Sequence, residues 1–133
     1  MSVGSKSPCP VPPQSVLAAM FEQSPIPIEY YNAEGNWISG NQASFDTFGM
    51  TYEATVGFDI FTDEAIPAEL REKLRKGEAI HFSADFDFSK VTYETARRDV
   101  AKFEFYITPL LDEEGKTTGI IVQTVDLTLA AQS

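Results

Sequence analysis

Cysteine and histidine occur once each, as Cys9 and His81. A single cysteine excludes an internal disulfide framework and a thiolate zinc site. A single histidine excludes a two-histidine metal site within the chain. Any Ser-His-Asp arrangement would depend on His81 alone. Basic residues are also scarce: ten Lys and Arg stand against twenty Asp and Glu, a net charge of −10. Phosphate backbones and anionic lipid repel such a domain, so neither nucleic acid nor a membrane is an expected partner. No apolar run approaches the roughly 18 residues of a membrane-spanning helix. Residues 1–14 lack the apolar stretch of a signal peptide, and the expected location is the cytoplasm.

What is present fits one globular domain: 133 residues, 43% of them hydrophobic. Residues 1–14 read as a disordered leader, because Pro8, Pro10, Pro12 and Pro13 remove backbone donors. A helix over 15–23 follows, with Ser15 as its cap and Val16, Leu17, Met20 and Phe21 as its apolar stripe. Ile26–Tyr31 and Asn36–Ser39 read as a hairpin around Asn32-Ala33-Glu34-Gly35. Asn41 is placed to cap a short helix carrying Phe45 and Phe48, with Gly49 closing it. The clearest helix runs over 66–76. Pro67 lies in its first turn and Ile66, Leu70 and Leu74 form its stripe.

From residue 80 the period switches to two. Ile80, Phe82, Ala84, Phe86 and Phe88 face one way, and His81, Ser83, Asp85, Asp87 and Ser89 the other. Phe103, Phe105 and Ile107 alternate again, with Pro109 expected to end that pairing. A turn at Asp112-Glu113-Glu114-Gly115 leads to a last strand over 118–125. Its apolar groups on both faces place it centrally. Two antiparallel pairs around a helical middle give an α+β plan: one antiparallel sheet with helices on one face.

At this level of detail the residues resemble a PAS domain. Phe21 to Ile28 looks like that family's passage from flanking helix to first strand. Asn32 to Ile38 looks like its first hairpin. Asn41-Gln42-Ala43 with Phe48-Gly49 is similar to its first core helix, and Gly57 to the glycine closing the next turn. Thr108-Pro109-Leu110 with Asp112 and Gly115, then Asp126-Leu127-Thr128, resemble its last turn and closing signature. The resemblance implies a five-stranded antiparallel sheet with short helices on one face, a domain over 15–128 with its core at 26–128, and an outgoing linker helix beginning at 129–133. It also implies a sensory or signal-relay module of a protein such as a sensor histidine kinase, not itself an enzyme. The end of the chain just past this signature suggests a piece of a longer polypeptide carrying an effector domain.

Several chemistries of the family can be weighed against the residues. Haem-binding members place a histidine on the long helix; here that helix has none, and His81 lies on the polar face of a strand. Flavin members that form a cysteinyl adduct need a Cys before that helix, where this chain has Gly57-Phe58-Asp59-Ile60-Phe61. Both cofactors are argued against, and no cofactor is predicted. Asp85 and Asp87 share a strand face without any acid–base or calcium motif around them. They read as a solvated face, as Asp112-Glu113-Glu114 reads as a solvated turn.

Phe45, Phe48, Phe58, Phe61, Leu70, Leu74, Phe82, Phe86, Phe103 and Phe105 are the candidate lining of an apolar pocket for an unidentified small molecule. The competing reading is a filled aromatic core. Asp126, Leu127 and Thr128 are the candidate signal exit, with Thr128 able to cap the next helix. Leu17, Met20 and Phe21 are candidates for a homodimer interface. Two further readings stay open: a purely structural dimerisation module with a filled core, and a small isomerase-like enzyme using Tyr30, Tyr31 or Tyr106. A carboxyl of raised pKa inside the cavity would favour the enzyme.

Overall fold

A computed structural model describes residues 9–128. Helix α1 spans Gln14–Gln23. Strands β1 (Ile28–Asn32) and β2 (Trp37–Gly40) form the first hairpin. Helix α2 (Gln42–Phe48), a 3-10 turn (Tyr52–Thr55) and helix α3 (Ala68–Arg75) make up the middle. Strand β3 (Ile80–Asp87), a 3-10 turn (Phe88–Lys90), β4 (Val100–Leu111) and β5 (Thr117–Asp126) complete the chain. The five strands form one antiparallel sheet in the order β2-β1-β5-β4-β3. Strand β5 is central, as its two apolar faces require. Ile120, Val122 and Thr124 are buried on the inner face, and Ile121, Gln123 and Val125 are half-buried on the outer one.

The first hairpin forms where its turn chemistry dictates. The Asn32 side-chain oxygen accepts from the N–H groups of Glu34 and Asn36, and Gly35 takes a positive φ of 93°. Asn41 caps α2 by accepting from Ser44 N–H, and Gly49 ends that helix in the left-handed conformation. The inner face buries two apolar groups. One contains Tyr31, Trp37, Ile60, Ile66, Leu74, Ile80, Ile107, Ile120 and Val122. The other is dominated by aromatics: Phe48, Phe88 and Phe103 with Met50 and Ala101.

Four local expectations are corrected. Ser15 lies inside α1, and Pro13 holds the cap position without a side-chain cap bond. Helix α3 starts at Ala68: Pro67 is its cap residue, and Ile66 is buried before the helix begins. Phe88 has left β3 for the 3-10 turn, because Asp87 turns the chain by accepting from Ser89 N–H, yet Phe88 remains 1% exposed. Pro109 does not end the pairing: it lies opposite Ile120 within β4. Strand β3 begins only at Ile80, opposite Ile107, so past Ile107 one edge of β4 is open and a proline is tolerated. The expected linker helix over 129–133 and residues 1–8 of the expected leader lie outside the described residues.

Candidate functional site

A cavity of about 100 Å³ lies between the inner face of the sheet and the segments that cross it. Four strands contribute: Glu29 and Tyr31 from β1, Phe82 and Phe86 from β3, Phe105 and Ile107 from β4, and Val122 from β5. Phe48 and Met50 close one side, and Phe58, Ile60, Asp63 and Ile66 another. Backbone bonds fix those segments. Trp37 N–H donates to Phe58 O at 3.0 Å and Ile60 N–H to Gly35 O at 2.8 Å, which joins residues 58–60 to the first hairpin. The stretch between the 3-10 turn and β4 brings Tyr93 over the cavity. Its hydroxyl donates to Phe48 O at 2.8 Å, and the Arg97 guanidinium donates to Thr47 O.

Glu29 is the unusual member of the lining. It occupies an inward position of β1 and is only 9% exposed. One carboxyl oxygen accepts from Ser44 Oγ at 3.3 Å. The buried indole N–H of Trp37 lies near enough to favour the charged form but makes no hydrogen bond. Burial dominates and pushes the Glu29 carboxyl up to about 7, with the Asp63 carboxylate adding in the same direction. No basic side chain is among the groups that act on it. Burial also raises both phenols: Tyr31 well above the usual tyrosine range and Tyr93 to about 12, the Glu29 charge reinforcing each.

Half of the expected pocket set lines this cavity: Phe48, Phe58, Phe82, Phe86 and Phe105. The others pack elsewhere. Leu74 and Phe103 are 2% and 0% exposed within the core. Phe45 meets Trp37 edge-on at 6.0 Å, Phe61 lies beneath the Arg75 guanidinium, and Leu70 packs against the first core group. Residue chemistry alone missed Glu29, Met50, Asp63 and Tyr93, and offered Tyr31 only as the phenol of an enzyme. The alternation of Glu29 and Tyr31 with Ile28 and Tyr30 was visible, but both sets contain apolar groups and neither declares itself inward. Tyr93 sits in an irregular stretch with no periodic signal.

The remaining candidates fall into place around this centre. At the exit, Asp126 Oδ1 accepts from Thr128 N–H at 2.9 Å, and Thr128 Oγ1 accepts from Lys102 N–H at 2.8 Å. Asp126 therefore caps the helical turn that starts at Leu127, which is half-buried, and Thr128 clasps that turn to β4. The linker helix that Thr128 was expected to cap lies outside the described residues. On α1, Leu17 and Met20 are exposed and Phe21 is half-buried, its carbonyl accepting from Asn41 Nδ2 at 3.0 Å. His81 lies on the outer face, 2.8 Å from Glu104 and stacked on Tyr106 at 4.3 Å. The described cavity lining contains neither His nor Cys, so no imidazole for a haem and no thiol for a flavin adduct lies within it. Among the described residues, no group of three or more His, Cys, Asp or Glu side chains converges as a metal site.

Comparison with known proteins agrees with this architecture. The chain is 28% identical over 121 residues to the virulence sensor protein BvgS of Bordetella pertussis, covering 87% of this chain and 10% of that protein. The BvgS of Bordetella bronchiseptica is 27% identical over the same coverage. The chain thus spans about a tenth of the length of the curated relatives it matches. The solved PAS domain of Bordetella pertussis BvgS superposes with a TM-score of 0.59 at 24% identity, covering 89% of this chain and 88% of that one. An RNA-binding Light-Oxygen-Voltage receptor reaches 0.69 at 15% identity, over 95% of this chain and 39% of that one, a likeness of fold alone. The family model described as PAS fold matches residues 21–132, and the chain belongs to that family.

Proposed function

We propose that this PAS domain is a sensory module of a larger signalling protein, with input at the cavity and output through Asp126–Thr128. The observation that carries the reading is a cavity containing a buried carboxyl with no basic partner. A domain selected only for a filled core gains nothing from such a group, because burying an unpaired carboxyl is unfavourable. Relatedness to a sensor protein supports the same reading. The route to the exit is short. Val122 borders the cavity and Asp126 lies four residues further along β5, about 13 Å at strand rise. Phe105 borders it on β4, and Lys102 on that strand is held by Thr128. A ligand that favours one arrangement of the β4–β5 pair by about 1.4 kcal/mol changes the balance at the exit tenfold. An effector in the same polypeptide and a cytoplasmic position are parts of this proposal.

A second reading has an observation of its own. Val16, Leu17 and Met20 on α1 are 44%, 41% and 57% exposed, an apolar stripe that a second copy of the chain would cover. The isomerase-like reading shares the raised Glu29 carboxyl. It is weakened because Tyr30 and Tyr106 lie on the outer face and Tyr93 spends its proton on Phe48 O. Tyr31 alone of the expected phenols lines the cavity.

Native mass spectrometry of the freshly purified chain tests both readings together. A retained small molecule released on denaturation is expected from the sensor reading. A bare dimer that Met20→Glu converts to monomer would replace it with the dimerisation module.

A further inference from the structure

The cavity's chemistry points to one class of ligand, and the inference rests on the cavity being the input site. We propose that it binds a small organic ammonium ion, with the charged nitrogen set between Glu29 and Asp63 and an apolar body against the aromatic wall. Three independent features converge on a cation. Glu29 is buried, holds one 3.3 Å hydrogen bond from Ser44, and has no Lys, Arg or His acting on it. Asp63, exposed and accepting from Ala65 N–H, borders the same cavity and its charge repels that of Glu29, so a cation between them removes a repulsion as well as the desolvation penalty of Glu29. Phe58, Phe86 and Tyr93 line the cavity, and aromatic rings attract cations most strongly where water is excluded.

The access route has the same sign. Beside the cavity, and sharing Phe58, Asp63 and Tyr93 with it, runs a wider groove of about 670 Å³. Asp59, Glu64, Asp85 and Asp87 line that groove, against Lys90 as its one basic lining residue among those described. Clefts lined by one sign of charge concentrate ions of the other sign. This gives Asp85 and Asp87 a setting that their strand position alone did not show. Size narrows the guest. The cavity is about two-thirds of an apolar cavity of about 150 Å³ that accommodates benzene, which limits the guest to about four to five non-hydrogen atoms. A carboxylate of that size would meet Glu29 and Asp63 as like charges.

Binding should also be coupled to a proton. The groups facing Glu29 are Tyr31 on its own strand, Ser44 from α2, Trp37 from β2, Asp63 before α3, and Tyr93 over the cavity. Burial holds both phenols neutral through the neutral range, so among the buried groups facing the cavity Glu29 is the one whose ionisation adds a charge for an ammonium to pair with.

The test is calorimetric titration of the 133-residue chain with n-butylammonium chloride, butan-1-ol and sodium butyrate. At about pH 8 the ammonium should bind at least tenfold more tightly than the alcohol, and butyrate should not bind. Glu29→Gln should weaken the ammonium at least tenfold and leave the alcohol within twofold. The unaltered chain gives a second readout should that variant fail to fold: ammonium affinity should fall about tenfold per pH unit below 7, with alcohol affinity unchanged. Equal affinity for alcohol and ammonium, or a flat pH profile for the ammonium, overturns the cationic ligand and leaves the cavity as an input site. No binding by any of the three below a Kd of about 10 mM overturns both.

Discussion

Two buried polar side chains lie on the same side of the sheet, and they are treated differently. Asn41 is 0% exposed and satisfied on every side. Its Nδ2 donates to Phe21 O and Ile26 O at 3.0 and 2.9 Å, and its Oδ1 accepts from the N–H groups of Ile28 and Ser44, both at 3.0 Å. One side chain thus joins the end of α1, the start of β1 and the cap of α2. Glu29, one residue beyond Ile28, is also buried, but among the described residues its carboxyl has only Ser44 Oγ as a hydrogen-bond partner, and it faces a cavity. Complete satisfaction marks a structural joint. A buried charge-forming group with incomplete partners is the feature on which the proposed input site rests.

The contrast is broken most severely at the joint. Asn41→Ala removes four hydrogen bonds and leaves Ile28 N–H and Phe21 O without this partner, while Ser44 N–H keeps Asn41 O and Ile26 O keeps Ser24 Oγ. A loss of about 3 kcal/mol or more is expected in urea unfolding.

The cavity should respond in the opposite direction. The folded chain holds Glu29 at about 7 against the ordinary 4.5, so between those values it keeps a proton that the unfolded chain has released. The stability that Glu29 supplies is therefore complete below pH 4.5 and is lost as pH rises through 7. Glu29→Gln cannot ionise. It should match the parent near pH 4.5 and exceed it by on the order of 3 kcal/mol at about pH 8. Unfolding midpoints for both chains across that range would show it, and a constant difference would contradict the assignment.

Ser44→Ala touches both regions at once and separates them. The backbone N–H to Asn41 survives, so the joint should hold, while Glu29 loses its hydroxyl partner. The Glu29 carboxyl should titrate higher still in a carbon-detected NMR titration. The accompanying stability loss should be about 1 kcal/mol, confined to high pH. The smallest effect belongs to the exit. Thr128→Val deletes the acceptor for Lys102 N–H and should lower stability by less than about 1 kcal/mol.

Much of the fold was legible because its signals are local. The Asn32–Gly35 turn, the Asn41 cap, Gly49 and the alternation from Ile80 each act within a few residues. The misplaced boundaries were set by tertiary partners. Pro109 is tolerated in β4 because β3 begins only at Ile80, and Phe88 stays buried after the strand ends because Phe103 and Arg97 receive it.

The site divided along the same line. Sequence by itself determined that aromatic side chains would crowd one face, that histidine and cysteine were absent from the stretches that matter, and that the chain would carry a strong negative charge. Only the tertiary structure decided which aromatics fill space and which enclose it. It also decided that a glutamate on a short strand would point inward, because pairing of Glu29 with Val122 and of Tyr31 with Ile120 turns that face of β1 toward the core. A carboxyl's place in a sequence does not reveal its solvent. Burial sets its proton affinity, and burial is a property of everything packed around it.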